Sequence, residues 1–173
     1  VDKIRDTAAS HNRLFFVEVM GRDAGFIATY AGLASGALAV MIPERRMEVE
    51  ELIARLKEAR KHKKSSSIVL VAEGGESGNA TEMARLVKEK APYYDTRVTI
   101  LGHIQRGGRP SCFDRNLASQ LGVSAVEALL QGKRDAMVGT VKGEIKLTSF
   151  DDVLNEKLTI DPEMLRFADI LSI

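Results

Sequence analysis

The sequence predicts an α/β fold, a Rossmann-like three-layer sandwich in which helices cover a mainly parallel β-sheet. Strand and helix patterns alternate along the chain with short connections, which is typical of parallel strands joined by crossover helices. The strand patterns are short apolar runs rich in β-branched residues. Polar side chains follow three of these strands, at the sheet edge where open α/β folds bind their ligands.

The composition indicates one soluble α/β domain that spans residues 1–173. Hydrophobic residues make up 45% and charged residues 28%, a balance typical of globular proteins. The formal net charge of +1 excludes a broad electrostatic surface for nucleic acid or an anionic membrane. Cys112 is the single cysteine, so an intrachain disulfide is excluded. No apolar run could span a bilayer, and we expect a cytoplasmic protein that binds neither membrane nor nucleic acid.

Capping residues and apolar runs predict the first elements. Residues 1–9 are predicted to be helical, and because the chain opens without methionine on a helix that looks already under way, we expect a fragment; processing is the alternative. The run LFFVEV predicts a strand at Arg13–Val19. Asp23 can cap a helix over residues 24–35, whose small side chains favour close packing on a sheet, and Gly36 ends that helix.

The remaining elements continue the alternation before an irregular C-terminal region. A strand is predicted at residues 37–42, closed by Pro43, and an amphipathic helix follows at 48–63. The basic end of that helix suits the negative end of the helix dipole. The next predicted elements are a strand at 67–72, a helix at 79–91, a buried strand at 97–101, a helix at 113–130 followed by Gly132, a hairpin of residues 136–141 and 145–147, and two helices with a linker in 151–173.

The stretch LGHIQRGGRP, residues 101–110, carries the strongest functional signal. Gly107 and Gly108 permit backbone angles that other residues avoid. His103 and Arg106 lie three residues apart, so both could face one anion in a compact turn. An arginine fork matches phosphate oxygens and histidine adds a donor, so the pattern favours phosphate binding; a solvated basic loop is the alternative.

Two further polar residues follow predicted strands. Parallel strands would bring Arg22 and Glu73 to the same sheet edge as His103 and Arg106. Each has a structural alternative, because Arg22 could pair with Asp23, Glu73 could be a solvated turn residue, and His103 could be a structural histidine.

Three charged residues do not fit a site at that edge. Arg13 and Arg97 begin strands and therefore lie at the opposite edge, where a neighbouring subunit could use them or where they are surface charges. Glu18 is an unusual carboxylate within the LFFVEV strand and could face a polar seam or an interface.

Several of these segments resemble one family. VEVMGRDAGFIA at residues 17–28, VAEG at 71–74, LGHIQRGGRP and FDR at 113–115 are similar to bacterial 6-phosphofructokinase. The resemblance runs through the whole chain but covers only the C-terminal half of that enzyme. It implies the substrate-binding half of the glycolytic kinase that phosphorylates fructose 6-phosphate to fructose 1,6-bisphosphate.

The resemblance also implies roles for single residues. The matching MGR segment contacts fructose 6-phosphate, and Arg22 approaches the transferred phosphoryl group as the catalytic residue. Glu73 matches a carboxylate that accepts hydrogen bonds from sugar hydroxyls, and Arg13 and Arg97 match arginines that reach the 6-phosphate of a neighbouring subunit. The implied substrate-binding residues within one chain are Met20, Gly21, Arg22, Glu73, His103, Ile104, Gln105 and Arg106.

Other implied features concern parts that this sequence lacks or changes. The family's ATP loop and catalytic aspartate lie in its other half, so ATP (or pyrophosphate) and Mg²⁺ should be bound mainly there and not by this chain alone. We therefore keep two alternatives: a pyrophosphate-dependent phosphofructokinase, or a non-catalytic sugar-phosphate-binding module. The resemblance also implies a homotetramer. An effector site would use Arg5, Gly36 and Lys64, but Leu38 replaces a carboxylate and Ser65 and Ser66 replace basic residues, so we expect weak or absent ADP activation.

Overall fold

Four parallel strands form the central sheet in a computed structural model, which describes residues 1–8, 13–62, 68–74, 79–156 and 158–171. All three strand pairings are parallel, and the order across the sheet is β2-β3-β1-β4. The predicted mainly parallel sheet is therefore confirmed. The strands are β1 (Arg13–Val19), β2 (Ala39–Met41), β3 (Ile68–Ala72) and β4 (Asp95–Ile100).

Helices cover both faces of this sheet. On one face, side chains of the strands pack in a core with α3 and α4, and on the other they pack with residues of α1, α2 and α7. The predicted three-layer arrangement is confirmed. Among the described residues, no helix combines the length and the apolar character that a membrane span needs. The helices are α1 (Asp2–Ala8), α2 (Phe26–Ser35), α3 (Val49–Lys61), α4 (Ala80–Lys90), α5 (Cys112–Leu130), α6 (Phe150–Asn155) and α7 (Pro162–Leu171).

Strand β1 lies at the centre of this core because both of its faces are apolar. Leu14 and Phe16 point to the α3–α4 side, whereas Val17 and Val19 point to the α2 side. The alternation follows from the two-residue period of a strand. Each fully buried side chain of this size stabilises the fold by about 1.5–3 kcal/mol relative to its exposed state.

Strand β4 differs from its prediction as a buried strand. Val98 is 40% exposed and Ile100 is 60% exposed. Among the described residues β4 pairs only with β1 and forms an edge of the sheet, and none of its side chains belongs to the core on either face. An apolar β-branched sequence indicates a strand, but it does not say whether that strand is central.

The start of α2 also differs from its prediction. The helix begins at Phe26 with Gly25 as its N-cap, and Asp23 does not cap it. Arg22 and Asp23 both adopt left-handed backbone angles, with φ values of 45° and 63°, so the chain turns before the helix can begin. Gly36 ends the helix as predicted, with φ of 62°.

The chain divides into two compact units, one of Val1–Gly107 with Ile160–Ile173 and one of Gly108–Thr159. The smaller unit contains α5, α6 and an antiparallel hairpin of β5 (Ala136–Val141) and β6 (Glu144–Ser149), which confirms the predicted hairpin. Its loop residues Lys142 and Gly143 have φ of 53° and 84°, as a type I′ turn requires. The single domain predicted over residues 1–173 stays a prediction.

Candidate functional site

Three adjacent strand ends converge on one open cavity of about 310 Å³. Met20, Gly21 and Arg22 follow β1, Glu73 follows β3, and a 3₁₀ turn at Gly102–Arg106 follows β4. Because these strands are parallel neighbours, their carboxyl ends meet at one sheet edge, as the sequence predicted. The cavity is lined by Met20, Gly21, Arg22, Ile27, Glu73, Gln105 and Arg106.

Side chains from the neighbouring strand ends hold the backbone of Met20, Gly21 and Arg22. Gln105 Oε1 accepts a hydrogen bond from the Met20 amide at 2.9 Å. Glu73 Oε1 accepts from the amides of Gly21 at 3.2 Å and Arg22 at 3.1 Å. Three successive amides are thus bound by side chains, which fixes the start of the loop after β1.

Glu73 uses only part of its capacity in these bonds. A carboxylate has two oxygens that accept hydrogen bonds, and the second, Oε2, has no partner among the described residues. Since Glu73 lines the cavity, Oε2 is available to accept from a hydroxyl group of a ligand.

Two guanidinium groups face the same cavity. Arg22 and Arg106 are exposed, and neither forms an ion pair with any residue in the described ranges. Two unpaired arginines beside a carboxylate suit a ligand that carries an anionic group and hydroxyls. His103 and Ile104 belong to the same 3₁₀ turn and are exposed, but they are not among the described lining residues.

Gly102 and Gly108 shape the turn after β4, whereas the sequence pointed to Gly107 and Gly108. Gly102 has φ of 50° and Gly108 has φ of 110°, so both adopt angles that favour glycine. Gly107 has an ordinary φ of −94°, and the prediction of a special angle there is wrong. The positive angle at Gly102 stands at the start of the 3₁₀ turn that follows β4.

Arg13 and Arg97 lie in the sheet away from the cavity, towards the amino ends of the strands. Arg13 Nε lies 3.5 Å from Asp95 Oδ2, and Arg97 Nη2 donates to the same oxygen at 3.1 Å. The opposite-edge position was predicted, and within this chain neither arginine lines the cavity. Their role towards a neighbouring subunit stays a prediction.

The predicted effector residues are only partly described. Arg5 Nη1 donates to the carbonyl of Ser35 at 3.1 Å, directly before Gly36, so these two predicted residues lie together. Leu38 is buried in the core beside α3 and α4. Lys64, Ser65 and Ser66 lie outside the described residues.

Two glutamates act as helix caps that the sequence did not predict. Glu18 Oε2 accepts from the Ala80 amide at 3.0 Å, at the start of α4, which explains this polar residue in β1. Glu44 accepts from the Gly25 amide through Oε1 at 2.9 Å and Oε2 at 3.0 Å. The only signal in the sequence for Glu44 was a helix start without a local capping side chain, and that signal does not identify the distant partner.

Ile27 lines the cavity and was not predicted as a lining residue.

Comparison with known proteins gives a consistent result. A family model described as Phosphofructokinase matches residues 1–129. The ATP-dependent 6-phosphofructokinase 2 of Bacteroides thetaiotaomicron is 49% identical over 173 residues, which are 100% of this chain and 53% of that protein. The chain thus spans about half the length of the curated relatives it matches.

Solved structures agree with this match. Phosphofructokinase from Saccharomyces cerevisiae superposes with a TM-score of 0.80 and 31% identity over 88% of this chain and 22% of that chain. A pyrophosphate-dependent phosphofructokinase from Nitrosospira multiformis gives a TM-score of 0.78 over 99% of this chain and 50% of that chain. Its identity is 23%, so this second likeness concerns the fold alone.

Proposed function

The chain belongs to the phosphofructokinase family, and from this premise we propose that it binds fructose 6-phosphate for phosphorylation to fructose 1,6-bisphosphate. The observation that carries the proposal is the convergence of three strand ends on one cavity. Within the described part of the chain, its two guanidinium groups have no ion-pair partner and one oxygen of its carboxylate has no hydrogen-bond donor. The chain would form the sugar-phosphate side of the complete site.

Each part of the cavity suits one part of this substrate. The 6-phosphate would bind the Arg106 fork, with His103 as a further donor. Glu73 Oε2 would accept from sugar hydroxyls, while Met20 and Gly21 form the floor. Ile104 would border the substrate, and Gln105 supports the floor through its bond to Met20.

Arg22 has the catalytic role in this proposal. Phosphoryl transfer depends on positioning and on stabilising the charge that spreads over the transferred group. A guanidinium without an ion-pair partner in the described part of the chain can supply that charge. The bonds from Glu73 to the backbone of Gly21 and Arg22 keep the loop in place.

ATP is the favoured phosphoryl donor, because the matched curated relatives are named as ATP-dependent enzymes. Pyrophosphate is the second candidate. When bound, Mg²⁺ neutralises charge on the phosphates. Our proposal assigns Mg²⁺ and the nucleotide mainly to the half of the relatives that this chain does not match.

A homotetramer is part of the proposal, and Arg13 and Arg97 are not among the described residues that line the cavity of their own chain. In a closed assembly they would instead approach the 6-phosphate bound to a neighbouring copy. The reaction belongs to glycolysis, so we propose a cytoplasmic location.

Calorimetric titration of the 173-residue chain tests the binding claim. Fructose 6-phosphate should bind, whereas fructose, which lacks the anionic group, should bind at least about tenfold more weakly. Equal affinity for both sugars, or no heat of binding for either, would overturn the proposal.

Joining the chain to the unmatched half of the Bacteroides relative tests catalysis. With ATP and Mg²⁺ the joined protein should form fructose 1,6-bisphosphate, and Arg22→Ala should abolish most of that activity. The chain alone should form none. An active chain alone would favour a complete site within these residues over the proposed half-site, and an Arg22→Ala protein with undiminished turnover would remove Arg22 from the mechanism.

A further inference from the structure

The loop that carries Arg22 has a conformation that its own residues disfavour. Arg22 and Asp23 have φ of 45° and 63°, in the left-handed region that residues with a Cβ rarely adopt. Such angles persist only where surrounding contacts hold them. The Ala24 amide closes this turn with a hydrogen bond to the Gly21 carbonyl at 3.1 Å, and groups outside the loop hold the backbone on either side of the turn.

The loop is held at both ends by carboxylates. Glu73 binds the amides of Gly21 and Arg22 at its start. At its end the Gly25 amide donates to both oxygens of Glu44, at 2.9 and 3.0 Å. A Cβ on Gly25 would lie 2.4 Å from Ile42 Cβ and 2.7 Å from Glu44 Oε2, so only glycine permits this close approach.

The residue that follows Glu44 is fixed by contacts of its side chain and backbone. This residue, Arg45, forms a bidentate ion pair with Asp169 of α7, at 2.6 and 3.0 Å. The Arg45 amide also donates to the Ile42 carbonyl at 3.3 Å, which closes a tight turn around Glu44. The Glu44 carboxylate lies at the N-terminus of α2, where the helix dipole favours a negative charge.

We propose that Glu44 is a positioning residue of the sugar-phosphate site, which acts by fixing the Arg22–Gly25 loop. The inference rests on the proposed function, in which Arg22 contacts bound fructose 6-phosphate as well as the transferred phosphoryl group. Glu44 lies outside the set of described cavity-lining residues, so its influence on a ligand passes through the loop. Gly25, the N-cap of α2, has no side chain that could cap the helix, and within the described ranges its amide donates to Glu44. Loss of Glu44 therefore removes the acceptor at the end of the loop.

The test compares Glu44→Ala with Glu44→Gln in the 173-residue chain. Alanine removes both acceptors and should weaken fructose 6-phosphate binding about tenfold. Glutamine keeps a carbonyl acceptor for the Gly25 amide and should restore affinity to within about threefold. The matched control is Tyr94→Phe. Tyr94 directly precedes β4, and the change removes its hydrogen bond to the Leu56 carbonyl in α3. This variant should lower the stability of the chain without changing its affinity for fructose 6-phosphate.

Two readouts separate positioning from general destabilisation. The Gly25 amide should exchange with solvent faster in Glu44→Ala, even without ligand, while amides of β1 and β3 stay protected. In an Arg22→Ala background, Glu44→Ala should cause no additional loss of affinity, because the loop then has no cation to position. A full additional loss in that background would overturn the proposal.

The remaining outcomes are distinct. If the unmodified chain fails to bind fructose 6-phosphate, the proposed function fails, and Gly25 exchange still decides whether Glu44 holds the loop. If the chain binds and a folded Glu44→Ala binds equally well, the positioning role is wrong. If Glu44→Ala does not fold, Glu44→Asp, which withdraws the carboxylate by one methylene, decides by the same comparison of affinity and exchange.

Discussion

Glu73 divides its two carboxylate oxygens between the protein and the cavity. Glu73→Gln tests this division, because the amide carbonyl must turn towards the Gly21 and Arg22 amides and the NH₂ group then faces the cavity. The sugar hydroxyls lose their acceptor, and fructose 6-phosphate should bind about tenfold or more weakly. The free energy of unfolding, measured by thermal denaturation, should change by less than about 0.5 kcal/mol. A large loss of stability with unchanged affinity would instead make Glu73 purely structural.

Arg106 is the residue that should decide recognition of the phosphate. Arg106→Ala should reduce affinity for fructose 6-phosphate by about 1.5–3 kcal/mol, since a charged hydrogen bond is lost. Calorimetry with unphosphorylated fructose should give the same weak result before and after the change. Arg85→Ala is the control, because Arg85 is an exposed arginine of α4 that pairs with Glu89. Similar losses in both variants would argue for a general charge effect.

Single residues differ in how far the sequence identifies them. Arg22, Glu73 and Arg106 could be predicted because each follows a strand pattern, and parallel strands bring such positions together. Glu44 could not be predicted, because its partner is a backbone amide nineteen positions away along the chain. The chain has 24 aspartates and glutamates, and the sequence does not show which of them accepts from the Gly25 amide.

In addition to the apolar packing of α7 against the core, Asp169 of this helix accepts hydrogen bonds from Arg45 and Arg55. Burial alone would raise the pKa of Asp169, but hydrogen bonds from Arg45 and Arg55 outweigh burial and lower that pKa below its ordinary value. Because the folded-state pKa is the lower one, this contribution to stability is complete above the ordinary carboxyl pKa of about 3.9 and is lost as pH falls through the folded value.

Asp169→Asn measures that contribution. The free energy of unfolding at neutral pH should fall by about 1–2 kcal/mol, between the values for exposed ion pairs and charged hydrogen bonds. The difference from the unmodified chain should shrink below about pH 4 as Asp169 itself becomes protonated. Glu89→Gln, which breaks the exposed pair with Arg85, should cost less than about 1 kcal/mol. A difference that persists undiminished in acid would show that the asparagine acts through packing.

Elements were easier to predict than their positions in the sheet. The apolar runs identified β1 and β3 closely because both are central strands with two buried faces. The pattern of β4 is similar, yet β4 forms an edge with exposed Val98 and Ile100. Strand order depends on how crossovers pack, and that information is not contained in any single run.

For the whole molecule, we expect affinity to depend on association between copies. If Arg13 and Arg97 complete the site of a neighbour, the apparent affinity for fructose 6-phosphate should rise as protein concentration increases. Titration at several concentrations, together with sedimentation equilibrium, measures both quantities. Arg97→Ala should remove the concentration dependence and leave the low-concentration affinity unchanged. An affinity that rises equally in Arg97→Ala would assign the effect to another contact.

The fold of the whole chain was predictable because its elements alternate regularly, whereas the division into two compact units was not. The second unit begins within the motif at residues 101–110, where the sequence shows no linker composition. A glycine such as Gly108, with its positive φ, indicates a turn both within one compact unit and at the start of another. A change of unit depends on which distant residues make contact, and local composition does not report those contacts.

The occupied amides of Met20, Gly21 and Arg22 have a consequence for how this cavity could receive an anion. Peptide dipoles that already serve side chains cannot also solvate a phosphate, so long, hydrated arginines must do so. Dissolved ions screen the attraction between exposed charges, over a Debye length of about 10 Å at 0.1 M salt that becomes shorter as the salt concentration rises. Binding of fructose 6-phosphate should therefore weaken several-fold between dilute buffer and about 0.5 M sodium chloride, as titration at both strengths would reveal. The ionic medium, as well as the sugar, would set how full this cavity is.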